Sequence, residues 1–216
     1  MALLITLLTT ITLLASITSA FPTSTLTSPK NPTLTTRVKR CTSGSGATQI
    51  LPPTEIITFD LTNPSAPGVS PAVPLFFQYT SSELTFRQLL RFDTPSSGTC
   101  SWILNLPAER YDASNIYQKT PEHGGPVHLS FSGVDGSFKA GGTIGDVKVK
   151  PGPYGVVAVK PGEQVIHSQP CSEIGTDVFV RVPEGNDQAM QAVWWVQDVR
   201  EVDEKGSLGF YMKHTC

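Results

Sequence analysis

The chain has no Gly-x-Ser-x-Gly elbow, no glycine loop that would cradle a phosphate and no dinucleotide fingerprint. The common signatures of hydrolases, nucleotide-binding enzymes and dehydrogenases are therefore missing. No two of its four cysteines share the close C-x-x-C spacing of zinc or redox sites. There is no Asn-x-Ser/Thr sequon, so N-glycosylation is not expected. Charged residues make up only 16% of the chain, the net charge is −2, and no basic stripe is present, which excludes the electrostatic footprint of a nucleic-acid binder. Neither an internal repeat nor a sustained helical period is found, which excludes solenoids and helix bundles.

What the chain does have begins at its ends. Residues 1–20 form an apolar run from Leu3 to Ile17, and the small residues Thr18 and Ala20 precede Phe21. This reads as a secretory signal peptide; the run is too short and too rich in threonine, and lacks the basic flank, for a membrane anchor. Residues 21–40 are Thr, Ser and Pro, and end in Arg37-Val38-Lys39-Arg40. A segment that cannot form a core stays extended, as a protease requires, so Lys39-Arg40 reads as a dibasic processing site of the secretory route. Cleavage there leaves residues 41–216 as a single domain with a sizeable core and no membrane span. That portion holds 12 basic against 18 acidic residues, a net charge of −6. It also holds all four cysteines, Cys41, Cys100, Cys171 and Cys216. An even count in an exported chain predicts two disulfides. Three connectivities are possible, and Cys100–Cys171 with Cys41–Cys216 is the favoured one.

Leu84–Pro107 is the strongest pattern. Leu84, Phe86, Leu90 and Phe92 alternate with polar residues, and Cys100, Trp102, Leu104 and Leu106 do so after Thr94-Pro95-Ser96-Ser97-Gly98. A period of two means one buried face and one wet face, and the spacing predicts a hairpin. Shorter strand-like segments, some alternating and some apolar runs, over Glu55–Leu61, Leu75–Tyr79, Val127–Gly133, Val147–Val149, Tyr154–Val159, Gln164–Gln169, Val178–Val182, Val193–Val199 and Leu208–Met212 bring the count to about ten strands. Cys41–Pro53, Asn63–Pro74 and Ala108–Gly125 read as loops, and Asp187–Ala192 as a turn or two of helix. The fold class expected is all-β, a disulfide-bonded antiparallel β-sandwich of jelly-roll-like form.

Candidate chemistry is thin. Phe92-Asp93-Thr94-Pro95 imitates an aspartic-protease signature, but that chemistry needs two carboxylates sharing a proton and one copy exists; Asp93 reads as a turn residue accepting backbone hydrogen bonds. Glu122, His123 and His128 could be drawn into a metal site, but three ligands from one flexible loop are entropically poor, and no metal or other cofactor is expected. Glu109 with Asp112, or Asp198 with Glu201, Asp203 and Glu204, could supply a glycosidase pair, although a solvated charge run is the simpler reading. Trp194 and Trp195 are consecutive in a strand, so they point to opposite faces: one fits the core and the other faces out. With Trp102, Tyr154 and Tyr211 they could form a sugar-stacking platform, and packing of these rings in the core is the preferred alternative.

Leu90-Arg91-Phe92-Asp93-Thr94-Pro95, followed by Thr99-Cys100-Ser101-Trp102-Ile103-Leu104 and Leu106-Pro107, resembles the Phe-Asp-x-Pro, Thr-Cys, apolar-strand, Pro pattern of the fungal But-two (ubiquitin-three-binding protein) C-terminal domain family. Ile144–Pro153, Cys171, Val178–Val182, Val193–Asp198 and Gly209-Phe210-Tyr211 extend the resemblance over roughly Glu83–Met212. Trp102 stands where a smaller apolar residue is usual, and Trp194-Trp195 and Cys216 lie outside the pattern. The resemblance implies a secreted or wall-associated β-sandwich. The family's ubiquitin-like partner is intracellular and out of reach of an exported, disulfide-bonded chain. The function expected is a non-catalytic extracellular or cell-wall interaction protein whose partner is an extracellular protein or a wall polysaccharide. The alternative is a carbohydrate-binding module or glycan-active enzyme, with Trp194 and Trp195 as the glycan contacts.

Overall fold

Twelve strands are present among the described residues: β1 (Thr48–Leu51), β2 (Glu55–Asp60), β3 (Leu75–Thr80), β4 (Thr85–Arg91), β5 (Thr99–Leu106), β6 (Ile116–Lys119), β7 (His128–Gly133), β8 (Gly155–Ala158), β9 (Gly162–Pro170), β10 (Asp177–Arg181), β11 (Gln191–Val196) and β12 (Gly209–Thr215). In this computed structural model they form an antiparallel four-stranded sheet, β1-β12-β5-β9, and a curled eight-stranded sheet, β6-β11-β3-β4-β10-β7-β8, with β2 added along β4. The structure describes residues 48–81, 84–119, 125–152, 154–183, 191–199 and 206–216, all within one compact unit, Val38–Cys216. The expected leader, the pro-segment with Lys39 and Arg40, Cys41, Glu122, His123, Glu201, Asp203 and Glu204 lie outside the described residues.

The all-β sandwich expected from the alternation is the architecture observed, but the hairpin at Leu84–Pro107 is not. β4 pairs with β2, β3 and β10, whereas β5 pairs with β12 and β9, so the two strands belong to different sheets. Alternation cannot separate these cases, because a strand buries one face whether its sequence neighbour lies beside it or across the core. Here Leu90 and Phe92 meet Cys100, Trp102 and Leu104 in one buried cluster from opposite sides. The connection turns at Gly98, whose φ of 87° lies in the left-handed region that glycine occupies without strain. In that turn Thr94 donates to Gly175 O (2.9 Å), while Asp93 is exposed and accepts no backbone hydrogen bond among the described residues, contrary to its expected role.

Three further expectations are corrected. Residues 48–51 are strand rather than loop, because β1 finds an open edge on β12. Val147 and Val149 lie outside the strands, and Val149 makes a single antiparallel bridge to Val134. Gln191 and Ala192 belong to β11, and the rest of the predicted helical turn lies outside the described residues. The disulfide Cys100–Cys171 joins β5 to the four-residue helix α1 (Cys171–Ile174), with both cysteines buried. Cys216 is also disulfide-bonded.

The long sheet forks at β4. Tyr79 and Thr80 of β3 pair with Phe86 and Thr85, after which β10 takes over that edge of β4 from Gln88 onward. Backbone groups lose ladder partners at such a split, and two buried glutamines replace them. Gln88 accepts from Phe77 N–H (2.7 Å) and donates to Leu75 O (3.0 Å) and Thr58 Oγ1 (2.8 Å). Gln78, with its carboxamide oriented to satisfy both groups, donates to Phe86 O (3.2 Å) and accepts from Gln88 N–H (3.2 Å). Each side chain thus supplies the hydrogen bonds of the strand that has moved away, as buried polar groups require. Burial parity turns over at the same place. Phe86 sits beside Tyr79 on a partly exposed surface, while Leu90, further along that face of β4, enters the main core.

The face of this sheet that carries Ile57, Phe59, Leu89 and Phe179 is covered by Val134, Phe138, Ile144 and Val147, which form a second apolar cluster. The limb β6-β11-β3 does not share in that cluster, and the site described below lies on it.

A third buried glutamine ties the sheets together. Gln197, just beyond β11, accepts from Phe210 N–H (2.7 Å) and donates to Phe210 O (3.1 Å) on β12. The carboxamide lies against Gly209, whose φ is 121°, and any Cβ there would collide with it. Gly209→Ala is therefore expected to destabilise the fold by about 2 kcal/mol through backbone strain and displacement of the clamp. Urea denaturation checks this; a loss below about 0.5 kcal/mol, the range of neutral surface changes, would count against the clamp.

Candidate functional site

Cross-strand register sorts the aromatic residues of the β6-β11-β3 limb. Ile116, Trp195 and Phe76 stand in one row and Tyr117, Trp194 and Phe77 in the next, so the two rows occupy opposite faces. The first row is core. Trp195 is 0% exposed, stacks on Phe76 at 4.2 Å and lies 5.3 Å from Phe210. The second row is turned outward. Tyr117 is 41% exposed, and Trp194 and Phe77 are half-buried. A glycan contact by Trp195 is thus corrected on burial, and Trp194 remains.

Trp194 does not stand alone. Its ring lies 6.2 Å from that of Tyr117, with the planes inclined by 19°. Along the next strand Phe77 and Tyr79, two residues apart on β3, lie at the same separation, 6.2 Å, inclined by 21°. Phe86 joins through Phe77, at 5.2 Å and 50°. Five partly exposed rings from four strands therefore form one band, with Val196 (46% exposed) beside Leu75 at one end and Lys119 beside Ala192 at the other. In the eight positions that face outward on these three strands, Tyr117, Lys119, Ala192, Trp194, Val196, Leu75, Phe77 and Tyr79, the only charge is Lys119.

The other rings expected in a platform are placed elsewhere. Trp102, 2% exposed, packs in the core at 5.1 Å from Tyr154, which is partly buried and stacks on His167 at 4.2 Å. Tyr211 is buried and donates to Leu208 O (2.8 Å); burial pushes its phenol well above the usual range. Four members of the band, Tyr117, Phe77, Tyr79 and Phe86, were not among the expected contacts. The signal for Tyr117 was the short Ile116-Tyr117-Gln118-Lys119 alternation inside a stretch read as loop.

The described candidate carboxylates are engaged structurally. Asp112 accepts from the Ser114 hydroxyl (2.7 Å) and from the backbone N–H groups of Ser114 (2.8 Å) and Asn115 (3.0 Å). The Ser114 hydroxyl, chief among these, holds its pKa below the ordinary carboxylate range, opposite to what a general acid needs. Asp198 pairs with Arg110 and accepts from Leu208 N–H (2.7 Å). Glu109 and His128 are exposed, and among the described residues no three His, Cys, Asp or Glu side chains are grouped to hold a metal. No described helix is long and apolar enough to cross a membrane.

Fold and site together define a disulfide-bonded antiparallel β-sandwich with one outward band of aromatic rings. No protein-family model, curated protein or solved structure matches the chain.

Proposed function

We propose that this chain is a secreted, non-catalytic interaction protein of the cell exterior or cell wall, of the But-two C-terminal kind, and that the band around Trp194 is its contact face. The single observation that carries the reading is that band. A folded chain normally withdraws large rings from water, and here four remain together at the surface on one limb, with Phe86 of β4 beside them. Contiguous exposed apolar surface of this sort marks interaction sites. Support for the compartment comes from the apolar leader, the dibasic Lys39-Arg40 and the buried Cys100–Cys171 disulfide, which suits an oxidising environment. The engaged state of Asp112 and Asp198 supports a role without acid–base catalysis.

The test is sedimentation of the oxidised protein with isolated cell-wall material. Wild type is expected to pellet, and Trp194→Ala with Phe77→Ala to lose about tenfold or more in affinity. Equal binding by the variant would remove the band from the account, and soluble sugar in the supernatant would overturn the non-catalytic reading.

A further inference from the structure

Resting on the reading above, we infer that the occupant of the aromatic band is a neutral polysaccharide, laid across β6, β11 and β3. Two features of the band select this class. The first is extent. Tyr117, Trp194 and Phe77 stand in one row across β6, β11 and β3, and Tyr79 and Phe86 widen it on one side. Such a row of rings offers successive sugars of a polysaccharide successive aromatic surfaces.

The second feature is charge. The eight outward positions of the three strands carry only Lys119, at one end. A strongly acidic glycan, a nucleic acid or an anionic membrane finds too little positive charge here. A neutral sugar ring has what the band complements, since its axial C–H groups are weakly positive and the face of an aromatic ring is negative. The hydroxyl of Tyr117 and the ammonium of Lys119 stand on the outward face of β6 and supply hydrogen-bonding groups at the rim for sugar hydroxyls. Phe86, as the fifth ring, extends the platform toward β4.

The experiment measures depletion isotherms of the full oxidised chain on insoluble β-1,3-glucan, chitin and cellulose, each with and without soluble oligosaccharide of the same linkage. Saturable binding to at least one polymer is expected, displaced by its own oligosaccharide. Tyr117→Ala, at an exposed position on an edge strand where folding is least at risk, is expected to weaken it about fivefold, and Trp194→Ala about tenfold or more. Unfolding midpoints within a few degrees of wild type show that the variants fold. Failure to bind any of the three polymers would overturn the inference, as would binding that both variants retain. Wall fragments treated with protease or with glycan-degrading enzymes separate this inference from the broader reading. Binding lost only after glycan digestion supports a polysaccharide. Loss only after proteolysis overturns it in favour of a protein partner and leaves the exterior interaction protein standing.

Discussion

Replacing Arg91 with methionine is expected to lower the free energy of unfolding by about 3–5 kcal/mol, because it strands a buried carboxylate. The side chain of Asp177 has no exposure, and its oxygens accept from Arg91 Nε (2.9 Å), Arg91 Nη2 (3.1 Å) and Phe138 N–H (2.7 Å). Arg91 spans three parts of the fold, reaching Glu55 Oε2 on β2 (2.8 Å) and the carbonyl of Phe138 as well as Asp177 on β10. The hydrogen bond to Asp177 is the main reason that its guanidinium holds its proton even more tightly than usual. Methionine keeps the volume and removes every donor, leaving Asp177 with one backbone N–H in an apolar setting. Lysine is expected to rescue little, since a single ammonium cannot copy the two-pronged contact. Glu55→Gln, at a partly exposed pair, should cost under about 1 kcal/mol. Urea denaturation decides the matter: a loss below about 1 kcal/mol for Arg91→Met, at unchanged slope, would show that Asp177 finds other partners.

The second large effect is expected from the Cys100→Ala, Cys171→Ala double variant. The bridge closes a loop with a sequence separation of 71 residues. For a loop of that length, chain entropy assigns a contribution of about 4 kcal/mol. Both sulfurs lie in the main core, so alanine also removes buried volume. The same experiment in oxidising buffer is expected to show a loss of at least about 3 kcal/mol. A loss near zero would contradict this and would mean that residual structure already restrains the unfolded chain without the bridge. The helix α1 should fray first in the variant, as its first residue is one end of the bridge.

Much of the fold was legible because strand alternation, turn residues and even cysteine numbers are local or countable signals. The positions of β2, β3, β7, β10, β11 and β12 follow from apolar residues two apart. Pairing is different. The Phe92–Gly98 connection carries the same turn residues whether it closes a hairpin or crosses from one sheet to the other, and only the partners contributed by β2, β10, β9 and β12 decide. Gln78 and Gln88 read as ordinary polar positions, since nothing local announces that a sheet will fork between them. Part of the site was legible as well. Two consecutive tryptophans must face opposite ways, but which one faces out depends on where Phe76 and Phe210 lie. Tyr117, Phe77, Tyr79 and Phe86 come from segments up to forty residues apart in the sequence, and register alone gathers them.

Acrylamide quenching of tryptophan fluorescence tests the central claim most directly. Of the three tryptophans, Trp102 and Trp195 are 2% and 0% exposed and Trp194 is half-buried on the band. The account predicts one quenchable tryptophan, lost in Trp194→Phe and shielded when the protein is bound to wall polysaccharide. Quenching that survives Trp194→Phe, or that is unchanged in the bound protein, would contradict it.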